Sequence, residues 1–141
     1  MEYKKINMPG LLHGGDYNPE QWLDRPDILE EDIRLMKLAH VNNVSLGIFS
    51  WAFLEPEEGK YDFSFWDEFL ALTAEENMKV VFCTPTATPP AWLSEKYPET
   101  LNADGDGNLM YHGMRCQHNL TSPKYLEFCE KITRRMAEHF N

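Results

Sequence analysis

Three carboxylates fall within four positions of the stretch Gly47 to Phe63, GIFSWAFLEPEEGKYDF. They are Glu55, Glu57 and Glu58, and Trp51 stands four residues before the first of them. Two carboxyl groups held at a fixed separation can divide the work of glycoside hydrolysis, one as acid or base and one as nucleophile. An indole face beside them can stack on the apolar side of a sugar ring. Whether any two of these glutamates can form such a pair depends on the elements that hold them.

Three short apolar runs read as buried strands: Leu11 to Gly14, Val44 to Phe49 and Lys79 to Cys83. They start roughly 35 residues apart, and a helical pattern follows each. The first helix opens at Asp24-Arg25-Pro26-Asp27, with proline early and acids in the first turn. Leu29, Ile33 and Met36 share its apolar face, widened by Leu35, Leu38 and Ala39. The second opens at Ser64 with Asp67 three residues on, close to a capping box. The third begins at Ser122-Pro123, an N-cap followed by proline, and carries the stripe Tyr125, Phe128, Cys129, Ile132 and Met136.

Strand and helix alternating at this spacing predict βαβ units and a parallel sheet, an α/β fold. A long insertion, Thr84 to Thr121, follows the third strand. It holds Pro89-Pro90-Ala91-Trp92-Leu93, which predicts a short helix. It also holds a hairpin with Gly105 and Gly107 at its turn. Three parallel strands alone leave long unpaired edges. An eightfold βα barrel takes roughly 250 residues. The 141 residues are therefore expected to be the first three units of something larger.

In parallel α/β folds chemistry collects at the C-terminal ends of the strands. Asp16, Tyr17, Asn18, Glu20 and Trp22 follow the first run, Trp51 and Glu55 the second, and Thr84, Thr86, Thr88 and Trp92 the third. The insertion adds Asp104, Asp106, His112, Arg115, Gln117, His118 and Asn119. Carboxylates, amides and aromatic plates suit a polyhydroxylated ligand. No glycine-rich phosphate cradle is present. Catalytic groups on such a fold come from several strands, so a pair inside one loop is not expected. Glu57-Glu58-Gly59 reads as a solvated turn, and Glu55 as an organiser of the loop that accepts hydrogen bonds.

Other chemistries fit less well. Cys116 and His118, with Cys129 or His112, lack the paired spacing of a zinc site. Asp104-Gly-Asp106-Gly-Asn108 lacks the terminal acid of a calcium loop, so no metal is expected. Ser50 has no Gly-x-Ser-x-Gly context. A net charge of −10 argues against nucleic acid and anionic membranes as partners. The N-terminus has no apolar segment after its lysines, and no run approaches the roughly 20 residues of a membrane span. Three cysteines at wide spacings fit a reducing compartment, so a cytoplasmic location is expected.

Four motifs occur in order: GGDYNPEQW (Gly14 to Trp22), FSWAFLEPEEGKYDF (Phe49 to Phe63), TPTATPPAWL (Thr84 to Leu93) and GMRCQHNLTSPKY (Gly113 to Tyr125). Together they resemble the N-terminal part of a glycoside hydrolase family 42 β-galactosidase, over nearly the whole chain. The second motif is the loosest, since several barrel glycosidases share a similar loop after the second strand.

The resemblance implies a TIM-type (β/α)8 barrel, of which residues 1–141 are the (βα)3 portion, ending before strand 4. It implies a retaining mechanism with two glutamates, at the ends of strands 4 and 7, and their carboxyl groups about 5–5.5 Å apart. Neither position falls in this chain, so no catalytic residue is assigned here and the chain alone is expected to be inactive. The resemblance places Arg115 on the galactosyl unit, because a guanidinium can donate two parallel hydrogen bonds. Trp51 is expected as part of the site wall. No cofactor is implied. The cysteine cluster that binds zinc in some members begins four residues after that arginine, where this chain has Asn119. A galactoside or oligosaccharide is the implied substrate, and the full protein is expected to be a homo-oligomer. Two alternatives stay open: a complete sugar-binding or scaffold domain, and a piece of another barrel glycosidase.

Overall fold

The computed structural model describes residues 10–111, 113 and 117–140. Strands β1 (Gly14–Asp16), β2 (Asn43–Leu46) and β3 (Lys79–Phe82) form one sheet in the order β1-β2-β3. Both pairings are parallel, with Gly15 opposite Val44 and Val44 opposite Val80. The helices are α1 (Pro26–Leu38), α2 (Trp51–Leu54), α3 (Ser64–Glu75), α4 (Ala91–Lys96) and α5 (Pro123–His139). The architecture is therefore α/β, three consecutive βα units on a parallel sheet, as expected, with the long insertion after β3.

The strands fall a little away from the apolar runs. The first begins three residues late, at Gly14, and Leu11 is left 86% exposed. The Asn42 side chain explains the shift. It accepts from the His13 backbone N–H at 2.8 Å and donates to the Leu11 carbonyl at 3.0 Å, which fixes the register from outside the strand. The second strand stops at Leu46 because Gly47 takes φ +79°. A Cβ there would stand 2.6 Å from the Phe82 ring, so only glycine lets the chain turn beside β3.

The two turns from helix back to strand are the same device. His40 and Asn77 both take φ +56°, just past the ends of α1 and α3. Val41 N–H donates to the Met36 carbonyl and His40 N–H to Lys37. In the next unit Met78 donates to Thr73 and Asn77 to Ala74. These are Schellman closures, which satisfy the last helical carbonyls. The repeat first visible as apolar spacing thus recurs as identical hydrogen bonding.

At the helix starts, Ser122 caps α5 as expected, its hydroxyl accepting from Tyr125 N–H at 3.3 Å. Ser64 is instead the first residue of α3. Asp62 accepts from its N–H at 3.0 Å and its hydroxyl at 2.6 Å. The core lies between sheet and helices. It includes the fully buried Trp51, Trp66, Phe128, Leu46, Leu54 and Leu93, each worth about 1.5–3 kcal/mol of burial. On α1 only Ile33 is buried, and Leu35 and Leu38 stay exposed.

Candidate functional site at the strand ends

The loops after the three strands meet on one side of the sheet. After β1, the Tyr17 hydroxyl donates to Asp32 of α1 at 2.9 Å, and burial, with the Asp32 carboxylate second, raises its pKa. A short 3-10 turn, Pro19–Trp22, then presents Glu20. Its Oε1 accepts from the Ser50 hydroxyl at 2.7 Å, joining the first loop to the second. Glu20 Oε2 and Asn18 Oδ1 are both buried without a hydrogen-bond partner.

The loop after β2 is built around Glu55. The carboxylate is 1% exposed. Its Oε2 accepts from the Trp51 indole at 2.9 Å and its Oε1 from the Gly59 backbone at 2.8 Å. Tyr61 stands beside the same carboxylate, and burial followed by that negative charge pushes its phenol up to about 12. The Glu55 carbonyl accepts from the Trp92 indole at 2.9 Å, which ties α4, after β3, to the second loop. Glu55 is thus an organiser, as its place in the sequence suggested. Glu57 pairs with Lys60 at 2.6 Å. Glu58 pairs with Lys96 at 3.0 Å and accepts from the Tyr97 hydroxyl at 3.1 Å. Those bonds hold the Glu57 and Glu58 carboxyls below their usual range. None of the three is left as an acid awaiting a substrate.

The insertion returns along itself. Asn102 N–H donates to the Gln117 carbonyl and Asn119 N–H to Thr100, both at 2.7 Å, so 117–119 lies beside 100–102. The predicted hairpin is present: Ala103 bridges Leu109, and Gly107 turns with φ +84°. Asp104 accepts from the N–H groups of Asp106 and Asn108, which accounts for the acidic turn without an ion. Among the described residues no group of three or more His, Cys, Asp or Glu is placed to hold a metal.

His118 is 6% exposed and stacks on Tyr125 with ring centres 4.8 Å apart. Its Nδ1 is buried and unpartnered, and burial pushes its pKa down. The Tyr125 hydroxyl donates to the Thr86 carbonyl at 2.7 Å, and its ring centre lies 6.5 Å from that of Trp51. A continuous contact therefore runs from 117–119 through Tyr125 and Trp51 to Glu55.

Trp51 itself has no exposed surface. Its indole ring therefore presents no free face in this arrangement, against the expectation that it lines the site wall directly. Arg115, like His112 and Cys116, lies outside the described residues. Sequence reasoning missed α2, because the four residues Trp51–Leu54 are too few to show a helical period. His118 lies in the fourth motif and on the rim, but nothing in its spacing signals the buried stack on Tyr125. A groove of about 790 Å³ runs between α5 and the Glu55 loop, and its exposed charges are ion-paired.

A family model described as beta-galactosidase, for glycoside hydrolase family 42, matches residues 16–141. Beta-galactosidase GalA of Bacillus licheniformis is 50% identical over 130 residues, covering 92% of this chain and 19% of its own length. Beta-galactosidase BglY of Alicyclobacillus acidocaldarius is 49% identical over 134 residues, covering 95% and 20%. Among solved structures, the cold-adapted beta-galactosidase of Rahnella sp. R3 superposes with a TM-score of 0.89 at 45% identity, covering 94% of this chain and 20% of that one. The chain spans about a fifth of the length of the curated relatives it matches.

Proposed function

The chain belongs to glycoside hydrolase family 42, the β-galactosidases, and from that membership we propose that it forms the first three βα units of a retaining β-galactosidase barrel. Residues 1–141 are then a partial catalytic domain ending before the fourth strand. The complete protein would remove terminal β-galactosyl residues from galactosides or oligosaccharides. The observation that carries this reading is the match across residues 16–141.

In this reading both catalytic glutamates come from later strands. One protonates the leaving oxygen and the other forms the glycosyl-enzyme intermediate, which water then hydrolyses. The chain's own part is to build the wall and floor of the galactosyl subsite. Arg115 donates paired hydrogen bonds to sugar hydroxyls or to a catalytic carboxylate. Trp51 supports the wall from beneath, through Tyr125 and Glu55. The cysteine usage supports a cytoplasmic enzyme, and a homo-oligomer is the assembly proposed for the full protein.

The test is activity with and without the rest of the barrel. The 141-residue chain alone should give no hydrolysis of a nitrophenyl β-galactoside above a blank. The same chain continued through its own downstream reading frame should hydrolyse it with retention of anomeric configuration. Turnover by the short chain, or none by the long one, would overturn the proposal.

A further inference from the structure

Glu55 is a buried carboxylate whose two oxygens accept from the Trp51 indole and the Gly59 backbone, with no cation among these partners. Burying such a charge is costly unless hydrogen bonds replace its water. Here they do, and they come from the start and the turn of one loop. The backbone of the same residue holds Trp92 of α4, 37 positions away. A residue that only filled space would not need this network. What it fixes is the position of Trp51, and Trp51 packs on Tyr125. Tyr125 is held at its other end by Thr86, and its ring supports His118. Segment 117–119 is thus placed from two sides: by backbone bonds to 100–102 and by this aromatic stack.

We propose that Glu55 is a positioning residue for galactoside binding, acting through Trp51, Tyr125 and His118 on the segment that directly follows Arg115 in the chain. The assignment rests on the β-galactosidase reading. Glu55 does not touch substrate. It sets the geometry of a rim segment whose misplacement by even an ångström weakens binding or orientation of the sugar.

The experiment uses the full-length protein with Glu55→Gln, Glu55→Ala and Trp51→Phe. Gln keeps the shape but replaces one acceptor by a donor, so either Trp51 or Gly59 loses its acceptor. Steady-state kinetics on a nitrophenyl β-galactoside and competitive inhibition by free galactose are measured on folded enzyme, with thermal midpoints alongside. The expected result for Glu55→Gln is a rise on the order of tenfold in both KM and the galactose inhibition constant, with kcat changed by about threefold or less. Trp51→Phe, which keeps an aromatic ring and removes the indole donor, should move both constants the same way by less. If Glu55→Ala does not fold, the other two variants carry the test. Unchanged KM and inhibition constants in stable Glu55→Gln and Trp51→Phe, with only lower thermal midpoints, would overturn the proposal alone. A wild-type full-length protein without galactoside hydrolysis would overturn it together with the reading it rests on.

Discussion

The Trp51 indole N–H and the Glu55 Oε2 meet at 2.9 Å, and both residues are essentially shielded from solvent. They sit four positions apart, one turn of helix, so α2 brings donor and acceptor to the same side. The pair converts two residues that look reactive in the sequence into a structural clasp. Sequence alone marks Trp51 as part of the site wall and Glu55 as an organiser of its loop. Their burial comes from Tyr125 and Trp92, some 74 and 37 positions away, and contacts at that separation leave no local trace.

Removing the donor should cost stability. In Trp51→Phe, Glu55 keeps Gly59, but one carboxylate oxygen loses its indole N–H and the smaller ring leaves a cavity in the core. An unsatisfied buried acceptor costs about 1–3 kcal/mol. Urea unfolding followed by far-ultraviolet circular dichroism should show the midpoint fall without a change in native helix content. An unchanged midpoint would mean that water reaches the carboxylate.

The helix ends give a prediction of opposite sign. His40 holds φ +56°, a conformation that its Cβ disfavours and glycine does not. His40→Gly should stabilise the chain by about 0.5–1 kcal/mol. Asn77→Gly, at the equivalent point of the next unit, should gain less, because asparagine tolerates this region. Equal gains at both sites would contradict the conformational explanation.

The repeat itself was legible before the structure, because apolar runs at even spacing followed by helical stripes have few other meanings. The edges of the elements were not. The first strand is the polar Gly14–Asp16 rather than the apolar Leu11–Gly14, since pairing with Asn43–Ser45 is made by backbone, and the Asn42 side chain sets where it starts. Ser64 looked like a cap, but Asp62 reaches its N–H from two residues earlier. The spacing predicts an apolar face of α1 at Leu29, Ile33 and Met36, widened by Leu35, Leu38 and Ala39, yet Leu35 and Leu38 are exposed in this chain. At the site, Glu55 as a loop organiser was readable from its neighbours Pro56 and Gly59. The role of His118 was not, because its burial depends on stacking with Tyr125.

Gly14 tests the tightest approach in the sheet. A Cβ at this position would lie 1.7 Å from the Asn43 carbonyl oxygen, which is backbone and pairs in the same register. Nothing flexible is available to move aside. Gly14→Ala should therefore force β1 away from β2 and destabilise by about 3 kcal/mol or more. Gly15→Ala, where a Cβ meets nothing within 4 Å, is the matched control and should change stability little. Hydrogen exchange at the Tyr17 amide, which donates to the Ser45 carbonyl at 2.9 Å, reports the detachment directly. Protection retained in Gly14→Ala would refute the steric account.

His118 gives the pH dependence. Burial lowers the pKa of its imidazole in the folded chain, whereas the unfolded chain titrates near the ordinary histidine value of about 6.5. Below that value the unfolded state takes up a proton that the folded state resists. Stability from this group is thus fully present above about pH 6.5 and declines as pH falls toward the lower folded pKa. Acidic side chains begin to protonate only lower, so the interval from about pH 6.5 to 5 reports the five histidines, and the difference from a His118 variant isolates this one. His118→Gln removes the titration while keeping a polar side chain. The thermal midpoint of the wild type should fall between pH 7 and 5 by more than that of His118→Gln measured over the same range. Parallel curves for the two proteins would show that His118 gains its proton as readily folded as unfolded, and would remove it from the buried stack on Tyr125.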